Sequence, residues 1–135
     1  RHTKLPIILD EDVKDSKDIP ALAGVADGIN LKLMKCGGIR EALRVIHTAR
    51  AHGLKVMLGC NIESSVSITA AAHLASLADY IDLDGNLLVT NDPYLGVAVD
   101  KGRLLMPEGE GLGIVPNAAR QQPEASEPFP VLAKR

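Results

Sequence analysis

The fold is decided by the stretch Ile29-Asn30-Leu31-Lys32-Leu33, a short apolar run that carries a polar residue at every second position. Comparable runs occur at Pro6–Asp10, Lys55–Gly59 and Tyr80–Asp84, with helix-like segments between them. The runs recur at intervals of about 25 residues, which suits parallel strands because each crossover between them takes a dozen or more residues. The sequence therefore predicts four βα units.

The segments between the runs carry helix signals. Apolar residues recur at helical spacing from Ile39 to His52, and Gly53 follows where a C-terminal cap belongs. Helices are also predicted from Ser16 to Ala26 and from Ser64 or Ser65 to Ala78, and either of these last two serines is a candidate N-cap. Strands that alternate with helices in this way indicate an α/β fold.

Side-chain alternation distinguishes the two architectures that four parallel strands allow, half of a (β/α)₈ barrel and a small open doubly wound sheet. Asn30 and Lys32 share one face of their strand and Leu31 lies on the other, while Asp82 and Asp84 share a face in the same way. Strands of an open sheet covered on both faces are nearly continuous apolar runs. One polar face therefore favours a barrel interior, and since a whole barrel takes about 250 residues, the chain supplies about half of one.

Beyond the fourth run, Gly and Pro become frequent and the βα pattern stops. Short strands are predicted at Val97–Val99 and Arg103–Met106, joined by a turn at Asp100–Gly102. The C-terminal residues are polar and rich in proline, which predicts disorder. We expect three regions: a half barrel (residues 1–90), a covering segment (residues 91–115) and a disordered tail (residues 116–135).

Composition excludes several classes of function. The 15 Lys+Arg and 17 Asp+Glu residues give a net charge of −2 without a long basic run, which excludes nucleic acid as a partner. No window approaches the run of about 18 apolar residues that a membrane span needs. Two cysteines, Cys36 and Cys60, are too few for a disulfide-built domain, and without a signal peptide at the start they predict reduced thiols in the cytoplasm.

Two candidate site residues end neighbouring strands. Asp10 opens the acidic triplet Asp10-Glu11-Asp12, where a carboxylate can bind Mg²⁺, although a solvated acidic turn is the favoured explanation of the triplet taken alone. Lys32 lies on the inner face of its strand, so it is either a structural ion-pair partner or a group for proton transfer. Lys35 is expected to be a surface lysine in the following loop.

Two further candidates lie at the ends of the last two strands. Asp82 and Asp84 on one strand face predict a cation or an ammonium ligand between them, or else a simple turn into the next segment. The segment Gly59–Ser65 passes from a strand into a helix, where free N–H groups favour an anion. Cys60 within it is more typical of a packed thiol than of a nucleophile, because no histidine lies nearby in sequence.

These motifs together resemble one known family. The sequences at Pro6–Glu11, Asn30–Ile39, Gly59–Ser65, Asp82–Asp84 and Pro107–Ile114 are similar to the C-terminal half of dipeptide epimerases of the enolase superfamily, of the L-Ala-D/L-Glu epimerase type. The resemblance covers about residues 5 to 115. It implies a modified (β/α)₇β barrel, of which this chain is the C-terminal half, and it assigns the segment after the fourth strand to the capping domain.

The resemblance also implies a role for several residues. Asp10 matches a Mg²⁺ ligand, and Lys32 matches one of two acid/base lysines on opposite sides of the substrate α-carbon. Asp82 and Asp84 match the pair that holds the ammonium group of the dipeptide. The implied reaction is a 1,1-proton transfer through an enediolate that Mg²⁺ stabilises.

A second set of residues matches the segment that lines the pocket near the substrate carboxylate: Cys60, Asn61 and Ile62. Family members are more than twice as long, so the other lysine and two metal ligands have no counterpart here. We therefore expect a partial enzyme that is inactive alone, requires an N-terminal half and forms a homo-oligomer when complete. Alternatives are an o-succinylbenzoate synthase, an N-acylamino acid racemase, or a catalytically silent half barrel.

Overall fold

A computed structural model describes residues 3–120, and its centre is a four-stranded parallel sheet. The strands are β1 (Ile8–Leu9), β2 (Gly28–Lys32), β3 (Lys55–Gly59) and β4 (Tyr80–Ile81), in the spatial order β1-β2-β3-β4. In the β2–β3 register, Lys32 lies opposite Gly59. Each strand thus pairs with the next one in sequence, as the four predicted βα units require.

Helices follow the strands on one side of the sheet. The longest is α3 (Ile39–Ala51), which buries Ala42, Val45, Ile46 and Ala49, a spacing that brings them onto one helical face. Its end is the predicted one, since Gly53 just after it has a φ of 73°, a conformation that glycine adopts without strain. The other α-helices and 3₁₀ helices are α1 (Ile19–Leu22), α2 (Leu33–Cys36), α4 (Ser65–Ala72), and three 3₁₀ turns at Ala75–Leu77, Gly85–Leu88 and Ala118–Arg120.

The hydrophobic core lies between the sheet and α3. Ile29 and Leu31 of β2 and Val56 and Leu58 of β3 point into it and are almost fully buried. The alternate residues of β2, Asn30 and Lys32, are only partly buried and lie on the opposite face. This is the alternation that the sequence predicts, and it leaves one polar sheet face available for a site.

Several elements differ from the prediction. α1 covers only Ile19–Leu22 of the helix predicted from Ser16 to Ala26, because the backbone becomes extended at Ala23. The run Tyr80–Asp84 is a strand only to Ile81, because Leu83 turns inward and joins a second cluster with Ile68, Ala71 and Val97. Leu33 begins α2 instead of ending β2. The helix expected to reach Ala78 stops at Ala72 and continues only as a 3₁₀ turn.

The segment after the sheet forms two small antiparallel pairs. β6 (Ala98–Asp100) and β7 (Arg103–Leu105) form the predicted hairpin, with positive φ at both turn residues, Lys101 and Gly102. β5 (Tyr94–Leu95) pairs with β8 (Val115–Pro116), a pairing that the sequence does not predict.

The predicted disordered tail needs a correction at its start. Pro116 is in β8, and a 3₁₀ turn spans Ala118–Arg120, so four of the first five residues of that region have regular structure. The strand forms by pairing with β5, and the sequence pattern misses it because β5 lies about twenty residues earlier in the chain. The remainder of the predicted tail, residues 121–135, lies outside the described residues.

Among the helices of residues 3–120, none has the length and apolar character to cross a membrane.

Candidate active site

Asp10, Asn30 and Lys32 meet at the carboxyl ends of β1 and β2. Asp10 directly follows β1, and the parallel pairing brings it beside the polar face of β2. Its Oδ2 accepts a hydrogen bond from Lys32 Nζ at 2.9 Å, and its Oδ1 accepts one from Asn30 Nδ2 at 3.0 Å. The Lys32 side chain is 12% exposed and that of Asp10 is 44% exposed. The two charged candidates are therefore in contact at the mouth of the sheet.

The contact stabilises the charged form of both groups. The hydrogen bond from Lys32 lowers the pKa of Asp10 below its ordinary value, although partial burial opposes this. The hydrogen bond to Asp10 raises the pKa of Lys32, again against a smaller effect of burial. In this arrangement Lys32 is an ion-paired ammonium, so it can donate a proton, and it can accept one only after it has lost a proton and its contact with Asp10.

The rest of the acidic triplet faces solvent. Glu11 pairs with Lys35 Nζ at 2.7 Å, and Asp12 is exposed without contributing to the site. Lys35 is on α2 and not in a loop as predicted, but the expectation that it lies near the surface agrees with the exposed pair it forms. Of the triplet, only Asp10 is directed towards Lys32.

The loop after β3 contacts the segment after β4 through Cys60. Its Sγ lies 3.4 Å from the carbonyl oxygen of Asp82 and 3.8 Å from Oδ1 of Asp84. Gly85 allows this close approach, because a Cβ at that position would lie 2.0 Å from the Asn61 carbonyl oxygen. Burial raises the pKa of the Cys60 thiol, so the neutral form persists and donates weakly to these oxygens.

Asn61 and Ile62 protrude beyond this loop. The backbone N–H of Asn61 donates to Glu63 Oε1 at 2.8 Å, and the side chain of Ile62 is 69% exposed. An exposed isoleucine at the edge of a polar face can contact a bound molecule or a further part of the protein.

Asp82 and Asp84 lie in the connection that follows β4, with both side chains exposed and Leu83 buried between them. The strand assignment was wrong for these residues, but the predicted alternation persists in the turn. Asp82 and Asp84 line a cavity of about 690 Å³, and the described residues that line it do not include Asp10, Lys32 or Cys60. Apolar residues form much of its remaining wall: Ile81, Leu87, Val99, Leu104 and Met106.

The start of α4 is occupied by a carboxylate of the chain itself. Ser64 is at the N-cap position but makes no capping bond with its side chain; instead, Asp92 Oδ2 accepts the N–H of Ser65. Asp92 is only 8% exposed, and its Oδ1 also accepts the N–H of Tyr94 at 3.1 Å. The prediction of serine capping is therefore corrected, and an anion at this helix start would compete with Asp92. Sequence reasoning missed Asp92 because its partner lies 27 residues earlier.

The residues present suit one position of a Mg²⁺ site. Asp10 supplies a hard carboxylate oxygen that is partly accessible, which is the donor type that Mg²⁺ prefers. Within residues 3–120 no cluster of three or more His, Cys, Asp or Glu residues could hold a metal ion. The described part of the chain thus has no metal site of three or more such ligands, and Asp10 would supply one ligand.

Comparison with known proteins agrees with this fold. The model of one family, described as enolase C-terminal domain-like, matches residues 1–120. The chain belongs to the enolase C-terminal domain-like family. Among similar proteins is an L-Ala-D/L-amino acid epimerase of Pedosphaera parvula, 51% identical over 116 residues that cover 84% of this chain and 33% of the relative. The enolase-like chain therefore spans about a third of the length of that relative.

Solved structures share the fold of the enolase-like chain. A dipeptide epimerase from Cytophaga hutchinsonii, complexed with Mg and the dipeptide D-Ala-L-Val, is 34% identical, with a TM-score of 0.76 over 85% of this chain and 33% of that one. An N-succinyl Arg/Lys racemase from Bacillus cereus is also 34% identical, with a TM-score of 0.79 over 88% of this chain and 33% of that one. The predicted α/β fold, part of an enolase-type TIM barrel, is confirmed.

Proposed function

We propose that the chain is the C-terminal part of a Mg²⁺-dependent isomerase that epimerises dipeptides by 1,1-proton transfer. The observation that carries this proposal is the 2.9 Å contact between Lys32 Nζ and Asp10 Oδ2 on neighbouring strand ends. A largely buried lysine beside a metal-type carboxylate combines a group for proton transfer with a position for a cation. The names of the relatives, epimerases and racemases, support the same class of reaction.

Lys32 is the proton carrier in this proposal. As an ammonium, Lys32 can return a proton to the α-carbon from Nζ; to take the substrate α-proton, it must first lose one of its own protons and its hydrogen bond to Asp10, and so become a neutral amine. Asp10 would hold Mg²⁺, which supplies positive charge beside the substrate carboxylate, where negative charge develops as the α-proton leaves. Epimerisation also needs a second acid/base group on the opposite side of the α-carbon, and that group would come from residues outside this chain.

Asp82 and Asp84 make a dipeptide the preferred substrate. Both residues line the same cavity, and in this proposal their carboxylates accept hydrogen bonds from one ammonium group of the substrate. Charge-assisted hydrogen bonds of this kind are worth about 1.5 to 3 kcal/mol each. The apolar part of the cavity wall suits the side chain of an amino-terminal residue, and Cys60, Asn61 and Ile62 would line the substrate-carboxylate side of the pocket.

A racemase of N-acylated amino acids is the second candidate. The similarity in fold to the N-succinyl Arg/Lys racemase favours it, because enzymes with this fold also accept such substrates. N-acylated substrates lack the free α-ammonium group of a dipeptide, although N-succinyl-Arg and N-succinyl-Lys keep a cationic side chain that two carboxylates could also bind. The Asp82 and Asp84 pair therefore separates the two candidates only for N-acylated amino acids whose side chain is uncharged.

The test uses a complete barrel. We define the assembled enzyme as a fusion in which the 135-residue chain replaces the matching third of the Pedosphaera parvula epimerase. We expect Mg²⁺-dependent epimerisation of L-Ala-L-Glu and little or no reaction with N-succinyl amino acids. Chiral chromatography measures the products of both reactions. Faster turnover of the N-succinyl substrates would favour the second candidate, and a folded fusion with neither activity would contradict both.

A further inference from the structure

Asn30 occupies the middle of β2, on the same face as Lys32 and two residues before it. Its Nδ2 donates to Asp10 Oδ1 at 3.0 Å, so Asp10 itself determines which end of the amide is the donor. The other end, Oδ1, is buried and has no hydrogen-bond partner among the described residues. A buried acceptor without a partner is costly, and its presence at this place calls for a compensating role.

The neighbouring strand makes room for this side chain. A Cβ at Gly59 would lie 2.4 Å from Asn30 Oδ1 and 2.7 Å from Nδ2, so any larger residue at Gly59 would displace the amide. Gly59 has no positive φ, and the local backbone conformation therefore does not require glycine. Space for the Asn30 amide is the reason that the structure gives for a glycine at this position.

The two oxygens of Asp10 consequently have different partners. Oδ1 is held by the uncharged amide of Asn30, and Oδ2 is held by the ammonium of Lys32. Without Asn30, the carboxylate could rotate and offer both oxygens to Lys32 or to solvent, since it is 44% exposed. The Asn30 amide fixes the plane of the Asp10 carboxylate and leaves Oδ2 as the oxygen that faces Lys32.

We propose that Asn30 is a positioning residue that fixes the Asp10 carboxylate through Oδ1, so that Oδ2 is the oxygen that would be available to Lys32 or to a metal ion. This rests on the proposed function, in which Asp10 would hold Mg²⁺. Partners that orient a metal ligand in this way commonly change metal affinity or activity by about 10–100-fold when they are removed.

The test is the variant Asn30→Leu in the assembled enzyme. Leucine has nearly the shape of asparagine and removes both the donor to Asp10 and the buried unpaired oxygen. The control is Asn117→Leu, which removes another partly buried amide donor, 3.2 Å from the Asp92 carbonyl oxygen and outside the Asp10 contact. We would measure the Mg²⁺ dissociation constant by calorimetry, the thermal midpoint without metal, and kcat and KM for a dipeptide.

We expect Asn30→Leu to raise the Mg²⁺ dissociation constant about tenfold or more and to lower kcat, with a thermal midpoint equal to or above that of the parent. Asn117→Leu should leave the Mg²⁺ affinity unchanged.

A lower thermal midpoint of Asn30→Leu with unchanged Mg²⁺ affinity would show a purely structural role and overturn the proposal. If Asn30→Leu does not fold, Asn30→Asp removes the donor from the same shape, and equal kcat with equal Mg²⁺ affinity there would overturn it. Failure of the parent protein to bind Mg²⁺ or to epimerise would instead count against the proposed function.

Discussion

Asp84 places a carboxylate on the cavity wall, and the Cys60 thiol lies 3.8 Å from its Oδ1. In the proposed function this carboxylate shares a substrate ammonium with Asp82. We predict that Asp84→Asn in the assembled enzyme lowers kcat/KM for dipeptides with a free amino terminus about 10–100-fold, the equivalent of one charge-assisted hydrogen bond. The same change should have little effect on N-acylated analogues, and steady-state kinetics on matched pairs of substrates measures the difference.

Asp12→Asn is the control for this prediction, because Asp12 is exposed and its replacement also removes one negative charge. It should leave both kcat/KM values within about twofold of the parent. Equal losses on both substrate types from Asp84→Asn would show that the carboxylate has a structural role, and the dipeptide assignment would then lose its support.

At the scale of elements, Glu41 links α3 to the segment that leads into α1. Its Oε1 accepts hydrogen bonds from the N–H and the hydroxyl of Ser16, and its Oε2 pairs with Arg44. These bonds, those from Ser16 first, lower the pKa of Glu41 from 4.5 to about 2. A lowered carboxyl pKa stabilises the fold above the unfolded-state value, and this stability is lost as the pH falls from about 4.5 towards 2.

We therefore predict that Glu41→Gln is less stable than the parent chain at pH 6 and that the difference shrinks by pH 3. Urea unfolding followed by circular dichroism at pH 6, 4 and 3 measures it. Glu108→Gln is the control, because Glu108 is exposed and its replacement also removes one carboxylate, so its difference from the parent should be small at every pH. A Glu41→Gln difference that is constant with pH would show that the carboxylate charge contributes nothing.

Local patterns predict most of these elements and miss those that depend on distant partners. Alternation in β2 and β3, helical spacing in α3 and the hairpin turn at Lys101 and Gly102 are visible in the sequence because each involves neighbouring residues. The β5–β8 pairing and the Asp92 contact join residues about twenty or more positions apart, where sequence spacing carries no signal. The early end of β4 was missed because Leu83 packs into a separate cluster.

The part of the candidate site that could be predicted is the part in which strand topology alone determines where a residue lies. Asp10 and Lys32 follow from two adjacent parallel strands, whose carboxyl ends meet at one edge. Asn30 was placed on the correct face, but its bond to Asp10 and its buried unpaired oxygen depend on atomic packing against Gly59. A sequence pattern contains no information at that level of detail.

At the scale of the whole molecule, β1 and β4 each pair on one side only within the described residues. Large apolar side chains are exposed beside these edges, including Ile7, Ile81 and Leu87. Unpaired strand edges and apolar surface promote association. We predict that the purified 135-residue chain elutes in size-exclusion chromatography as a species larger than 14.3 kDa and epimerises no dipeptide.

A monodisperse monomer with a sharp unfolding transition would contradict the association. Mg²⁺-dependent epimerisation by the isolated chain would contradict the claim that further ligands and a second acid/base group come from outside it. The assembled enzyme, assayed in the same buffer, controls for substrate quality and metal supply.

The central claim is that Lys32 carries the proton, and α-proton exchange tests it most directly. The assembled enzyme is incubated with a dipeptide in deuterium oxide, and deuterium at the α-carbon and the epimer ratio are followed by NMR. The variants are Lys32→Ala and, as a control, Lys35→Ala, which removes a nearby lysine whose partner is the exposed Glu11.

We predict that the parent and Lys35→Ala exchange and epimerise at similar rates. Lys32→Ala should lose at least about a hundredfold in epimerisation in both directions, the usual effect of removing an acid/base group, and lose exchange from the epimer whose α-proton faces Lys32. Epimerisation by Lys32→Ala at the rate of the parent would contradict the account.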